Sequence, residues 1–213
     1  MLLLCRIVCV SRALTRASAR VQSMLDSVLL ARSKWLRPGG RMLPSKARVY
    51  AAPVSMAAFC EEKFTFYENV MGFDMSNLAA VSAQEVLSQP LVTDVLPEQL
   101  LAEPAVITTI DCEVAEAAEL QEALGGGLSF PCTRSGVCHG YALWFECDFP
   151  RSDAAPLVKL STAPGEPRTH WQQTVVFLPD MLQAVAGETR LDCSVRLQKD
   201  PEQPRLCGIE LEI

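Results

Sequence analysis

The sequence predicts a mainly β protein with some α: an antiparallel β-barrel or sandwich with an N-terminal helix and an inserted helical arm. Three observations predict it. From residue 91 onward the apolar residues recur every second position, the period of a strand with one buried face. Before that point two stretches repeat at helical spacing instead. Apolar residues make up 49% of 213, enough for one domain with a substantial core or for two small ones.

The elements follow in chain order. In "SMLDSVLLARSKWLRPGG", Leu25, Val28, Leu29, Trp35 and Leu36 share one helical face. Arg32, Lys34 and Arg37 sit near its C-terminal end, where the helix dipole favours cations, and Pro38-Gly39-Gly40 stops it. "ARVYAAPVS" is a short strand closed by Pro53. "AAFCEEKFTFYENVMGFDMSNL" is a second amphipathic helical stretch. Phe59, Lys63, Phe66, Tyr67 and Val70 make its stripe, opposite Glu61, Glu62, Glu68 and Asn69. Such a stripe packs on its own domain or protrudes to dock on a partner.

In "VITTIDC" the shared face is Val106, Thr108, Ile110 and Cys112. In "ALWFECDF" it is Leu143, Phe145, Cys147 and Phe149, with Trp144, Glu146 and Asp148 on the wet side. "LDCSVRL" and "CGIELEI" alternate likewise, with Leu191, Cys193, Val195 and Leu197, then Cys207, Ile209, Leu211 and Ile213, on one side. Gly125-Gly126-Gly127 and "FPRSDAAP" are expected as surface loops. Glu113, Glu116, Glu119 and Glu122 are expected on the solvated face of a helical turn.

Charge and chemistry narrow the function classes. The net charge is −6, and residues 1–20 carry Arg6, Arg12, Arg16 and Arg20 with no acid, so the body is four charges more acidic than the whole. An acidic body argues against direct nucleic-acid binding and suits basic protein partners. No apolar run reaches the ~20 residues of a membrane span. Nine cysteines without a C-x-x-C pair suit a reducing compartment and no disulfide frame; with two distant histidines, no metal site is expected. The Arg-bearing, acid-free N-terminus over residues 1–21 is either a mitochondrial transit peptide or an arbitrary leader. There is no G-x-G-x-x-G, no P-loop and no G-x-S-x-G. Cys138 and His139 are adjacent, but neighbours on a strand point to opposite faces, so no nucleophile pair forms; His139 is expected at a strand start or turn.

Four stretches in order carry a family resemblance. They are "SMLDSVLLARSKWLRPGGRMLPSKARVYAAPV", "FYENVMGFDMS", "LVTDVLPEQLL" and "LSTAPGEPRTHWQQTVVFL". Together they resemble the C-terminal half of protein arginine N-methyltransferases. The resemblance implies residues 22–40 as a helix remaining from the cofactor domain and 41–213 as the family's β-barrel domain, with a dimerisation arm at about 57–80. It implies methyl transfer from S-adenosylmethionine to an arginine guanidinium held by two glutamates. Thr169, His170 and Trp171 match the family's T-H-W loop, which completes the arginine pocket; the His pairs with an acid elsewhere and the Trp walls the channel. Phe59, Phe66, Tyr67, Val70 and Phe73 fall on the arm, implying a homo- or heterodimer. Gln22 stands where the second clamp glutamate is expected, and Met24 where a methionine touches the cofactor. Met71 replaces the arm's usual Tyr, and Gln172 the loop's Lys.

No Gly-rich V-L-D-x-G-x-G stretch occurs, so the cofactor is not expected on this chain alone and the isolated chain is expected to be inactive. The family's substrates imply histones or Arg-Gly-rich proteins in the cytoplasm or nucleus, or mitochondria if the leader is a transit peptide. A different class stays open: a non-catalytic module that binds and regulates a full-length methyltransferase.

Overall fold

The computed structural model describes residues 17–22, 25–116, 118–120, 124–150, 157–199 and 206–213. Strand β1 (Ala17–Gln22) leads into helix α1 (Leu25–Trp35) and strand β2 (Lys46–Val54). The insertion follows: α2 (Ala57–Lys63), a 3-10 turn (Thr65–Glu68) and α3 (Ser76–Ser88). The remaining strands are β3 (Leu91–Thr93), β4 (Ala105–Asp111), β5 (Leu124–Pro131) and β6 (Gly136–Phe149). They continue with β7 (Val158–Ser161), β8 (Gln173–Ala184), β9 (Arg190–Lys199) and β10 (Leu206–Glu212). No helix among the described residues is long and apolar enough to cross a membrane.

Two antiparallel sheets result. One runs β1-β10-β9-β5; the other runs β3-β8-β6-β2-β4, with β7 also on β6. Their facing sides interlock Ala51, Tyr141, Leu143, Val176 and Leu178 with Phe130, Leu191, Val195, Ile209 and Leu211. This is a sandwich core, and the described pairings do not close into one barrel. Residues 17–21, assigned by sequence to a leader, and Gln22, assigned to the following helix, pair with β10.

The outer face of the larger sheet is also buried. Ala52, Val54, Ala142, Trp144, Val175 and Phe177 pack under Met56 and Cys60 at the root of the insertion, and under Val95. Burial on both faces corrects the expectation of a wet side for β6: Trp144 is 2% exposed and Asp148 5%. The insertion supplies the cover over Trp144 that the alternating pattern could not reveal. Past Trp144, which stacks on Tyr50, the face becomes a charge lattice. Glu146 accepts hydrogen bonds from Tyr50, Lys159 and Ser161, and Asp148 pairs with Arg48 at 2.8 Å. Burial raises the Glu146 pKa, but these three donors outweigh it and hold the carboxyl below its usual range.

Several local expectations change. Pro53 lies inside β2, not at its end; β4 has already stopped at Ala51, so only the Pro53 carbonyl is needed there, and Leu101 N–H donates to it. In β4 a bulge skips Ile107 between Val49 and Tyr50, so Ile107 faces the core and Val106 is exposed. Gly125 to Gly127 are not a loop but part of β5 paired with β9. A Cβ on Gly125 would stand 2.2 Å from Val195 O, so only glycine allows that approach. The acidic stretch around Glu113, Glu116 and Glu119 forms turns rather than helix, and Glu122 lies outside the described residues.

Among the α1 residues whose side chains are described, Leu29 is the one fully buried, against Ala115 and Leu120; Trp35, expected on the apolar face, is 75% exposed. Arg32 does more than oppose a dipole: its guanidinium donates to Cys112 O and Ala115 O. The second helical stretch is also not continuous. It breaks at Phe64, turns through Asn69–Gly72 with Gly72 N–H donating to Asn69 Oδ1, and restarts as α3. Asp74 accepts hydrogen bonds from the Ser76 hydroxyl and N–H there, which holds its carboxyl below the usual range.

His139 is neither at a turn nor at a strand start. It sits within β6, 6% exposed, and its Nδ1 accepts the Met56 N–H at 3.1 Å, at the point where the insertion leaves the sheet. Cys138 faces the opposite core, and burial pushes its thiol up to about 11. Burial lowers the His139 pKa, opposed by a backbone hydrogen bond involving Val137. The unfolded chain therefore takes up the proton first. Stability is full above about pH 6.5 and falls as the pH drops below it. Replacing His139 with Asn keeps an acceptor near the Nδ1 position and removes the titration. Urea melts should show a loss below about pH 6.5 in the parent that H139N lacks. Replacement by Ala orphans the Met56 N–H and should cost about 1–3 kcal/mol at neutral pH.

Candidate functional site

Strand β6 is 14 residues long, and its one edge is shared by two strands. β8 pairs with it through Leu143, and β7 takes over from Glu146. The connection between β7 and β8, which run the same way along this edge, therefore leaves and rejoins it beside Trp144 and Phe145. Thr162 anchors its start: the Thr162 N–H and hydroxyl both donate to Phe145 O, and Phe145 N–H donates to Thr162 Oγ1.

Gln173 anchors its end. The side chain is buried, with Oε1 accepting the Val95 N–H at 2.6 Å and Nε2 donating to Thr162 O at 2.8 Å. One amide thus joins three segments. The loop leans on the 94–97 segment at two further points. Gly165, at φ +88°, leaves no room for a Cβ, which would lie 2.8 Å from Pro97 Cγ. Arg168 pairs with Asp94 at 2.9 Å. Between the two segments lies a pocket of about 300 Å3.

Thr169, His170 and Trp171 occupy the loop's last turn. Gln172 takes the left-handed conformation, φ 52°, unusual for a residue with a Cβ. Trp171 and Gln173, on either side of it, are both buried. Trp171 is 8% exposed and meets Phe145 edge to face, centroids 5.6 Å apart. His170 is exposed and lies over Trp171, ring centroids 3.8 Å apart. The result is a short aromatic ladder from solvent to core. Two buried polar atoms here, Trp171 Nε1 and Thr169 Oγ1, have no hydrogen-bond partner among the described residues.

The other sequence candidates divide. The Gln22 backbone ends β1 opposite Leu206, its side chain lies outside the described part, and so does Met24. On the insertion, Phe59 stacks on Phe177 of its own sheet at 5.4 Å. Phe66 and Phe73 are exposed, with Met71 between them in sequence at 95% exposure; Tyr67 and Val70 are half-buried. Among the described residues no group of three His, Cys, Asp or Glu gathers for a metal. None of Cys60, Cys112, Cys132, Cys138, Cys147 and Cys193 is in a disulfide. Gln173 was missed by sequence reasoning. The signal was there: stepping back by two from Phe177 and Val175 puts it on the same buried face.

Residues 45–213 match the family model described as the arginine methyltransferase oligomerization subdomain. The chain is 33% identical over 214 residues to a probable protein arginine N-methyltransferase 6.1 of Oryza sativa subsp. indica, covering 90% of this chain and 56% of that one. It is 34% identical over 188 residues to protein arginine N-methyltransferase 6 of Xenopus tropicalis, covering 86% and 54%. The chain thus spans about half the length of the curated relatives it matches. Among solved structures it is similar to the Trypanosoma brucei PRMT1 enzyme-prozyme heterotetrameric complex with AdoHcy, with TM-score 0.73, 27% identity and coverage of 89% and 57%. It is also similar to Arabidopsis thaliana protein arginine methyltransferase 10, with TM-score 0.70, 28% identity and coverage of 89% and 60%.

Losing the Gln173 bridge should loosen the whole loop. Gln173→Met keeps the volume and orphans the Val95 N–H and Thr162 O. We expect a loss of about 2–4 kcal/mol in urea unfolding, from two buried groups left unpaired.

Proposed function

The chain belongs to the arginine methyltransferase family, and from that membership we propose that it supplies one side of an arginine-methylation site. The observation that carries this reading is the Thr169–Trp171 turn. It is followed directly by Gln173, which ties the loop to Val95 and Thr162, and it holds two buried polar atoms with no partner among the described residues. A turn fixed in this way is suited to meet groups from a second surface.

In this reading the exposed His170 hydrogen-bonds an acid on the facing segment. Trp171 walls the channel through which the substrate arginine enters, its flat face suited to a guanidinium. Thr169 orients the substrate backbone beside it. The substrates are arginine-bearing segments of proteins such as histones or Arg-Gly-rich chains, met in the cytoplasm or nucleus.

The chain's own residues do not fit S-adenosylmethionine. Such a cofactor needs a Gly-rich turn from a strand into a helix N-terminus. Here β1 enters α1 and β2 enters α2 without a glycine between them. The expected clamp position carries Gln22, which has an acceptor but no charge. No methyl-transfer step is therefore assigned to these residues. The cofactor and the acidic clamp come from another segment, in the same polypeptide or a second one.

The insertion supplies the means to meet a second subunit. Phe66, Met71 and Phe73 expose a large apolar surface, while Phe59 roots the insertion on its own sheet. That exposure also favours a second reading, in which the chain pairs with a complete methyltransferase and modulates it.

Two measurements test these readings. The purified chain with methyl donor and an Arg-Gly peptide should give no turnover; turnover at the rate of a full-length relative overturns the assignment. Sedimentation with a full-length relative should show association, weakened at least about 30-fold by Phe66→Ser with Phe73→Ser, the scale of a lost interface hot spot. An undiminished complex would move the interface off the insertion.

A further inference from the structure

The pocket between the 94–97 and 162–173 segments shares Thr169 with the Thr169–Trp171 turn, while His170 and Trp171 do not line it. Two carboxylates, Asp94 and Glu166, line it against one guanidinium, that of Arg168. We propose that this pocket is a subsite for a second arginine of the substrate segment, whose guanidinium displaces Arg168 from Asp94. The inference rests on the methylation reading and names a feature of its substrate: two arginines close in sequence.

The ligand chemistry is already displayed within the chain. Arg168 Nη2 stands 2.9 Å from Asp94 Oδ2, so the carboxylate at this wall is placed to receive a guanidinium. The resident one is readily exchanged, because the two side chains are 75% and 42% exposed, and an ion pair that wet holds little net free energy. An incoming guanidinium meets the same carboxylate without having to create the site. It also meets an acceptor that Arg168 leaves unused. Thr169 lines the same pocket, and its buried Oγ1 has no partner among the described residues. A planar guanidinium carries five N–H donors in a fork that matches a carboxylate. A lysine ammonium has no such fork, which makes the site selective for arginine.

The pocket also explains what the Asp94–Arg168 pair does without a substrate. It keeps the Asp94 carboxylate occupied and adds a weak contact between the loop and the 94–97 segment, alongside Gly165 on Pro97. Arg168 is then an internal competitor. Removing it should raise affinity for a two-arginine peptide, whereas removing Asp94 should abolish the advantage of the second arginine.

The test titrates the full chain by calorimetry with two peptides of equal length. One has two arginines separated by two glycines; the other has citrulline, a neutral isostere, at the second position. The two-arginine peptide should bind more tightly and move the amide resonances of Asp94 and Thr169. R168Q should tighten it about threefold, the scale of an exposed ion pair, and leave the citrulline peptide unchanged. D94N should bring the two peptides to equal affinity. Thermal melts of both variants should match the parent, since both side chains lie at the surface. A two-arginine preference that survives D94N, or no binding of either peptide to the parent and R168Q chains, overturns the proposal. Methyl transfer in a mixture with a full-length relative reads the wider proposal separately. Transfer without an Asp94-dependent preference sinks only the subsite, and the preference without transfer sinks only the methylation reading.

Discussion

The buried amide of Gln173 solves a problem that the sheet itself creates. Where β6 passes from one neighbour to the next, the chain between β7 and β8 leaves and rejoins its edge, and the backbone groups of Val95 and Thr162 come to lie inside. Unpaired, each would carry a desolvation cost in a region of low dielectric. The amide has one donor group and one acceptor, and it satisfies both segments at once. The position of Thr169, His170 and Trp171 follows from that bridge, from Thr162 on Phe145, and from the left-handed turn at Gln172. Loops that carry function are useful when a rigid scaffold fixes them, and here the scaffold reaches into the loop through one side chain.

The same core links the loop to the inserted helices. Val95, which receives the Gln173 bridge, packs in the outer core with Met56, Cys60, Val175 and Phe177. Met56 is held by His139 from β6, and Phe59 stacks on Phe177. The root of the insertion and the back of the loop are thus two margins of one packed layer. The exposed phenylalanines lie farther out, beyond Phe64, where the chain leaves that layer. The insertion has an inner part that completes the sheet and an outer part that faces solvent.

Much of this was legible in the sequence. Leu191, Cys193, Val195 and Leu197 face the core because β9 has one wet side, and period two is then sufficient. The T-H-W turn was found by its neighbours in order along the chain rather than by its own composition. What was not legible follows from tertiary contact. Trp144 looked wet because nothing local announces that an insertion from elsewhere covers it, and Asp148 because its cover is the Arg48 side chain on a neighbouring strand. Gly125 looked like a loop because its reason is the Val195 carbonyl on a strand some seventy residues away, a close approach that sequence spacing does not encode. Only the first turn of α3 fell within the second helical stretch read from sequence, which ended at Leu78 and ran unbroken through the turn at Met71 and Gly72. Gln173 was passed over as a polar residue next to an apolar run, although its parity with Val175 placed it inside.

The central claim is that the Thr169–Trp171 turn is built in advance by this chain alone, before any second surface meets it. Amide hydrogen exchange on the isolated chain tests this most directly. The account predicts that the Val95 N–H, and the Phe145 N–H bonded to Thr162, exchange as slowly as the central amides of β6 and β8. Fast exchange at both, with β6 and β8 still protected, would show a loop that is ordered only on contact, and would contradict it.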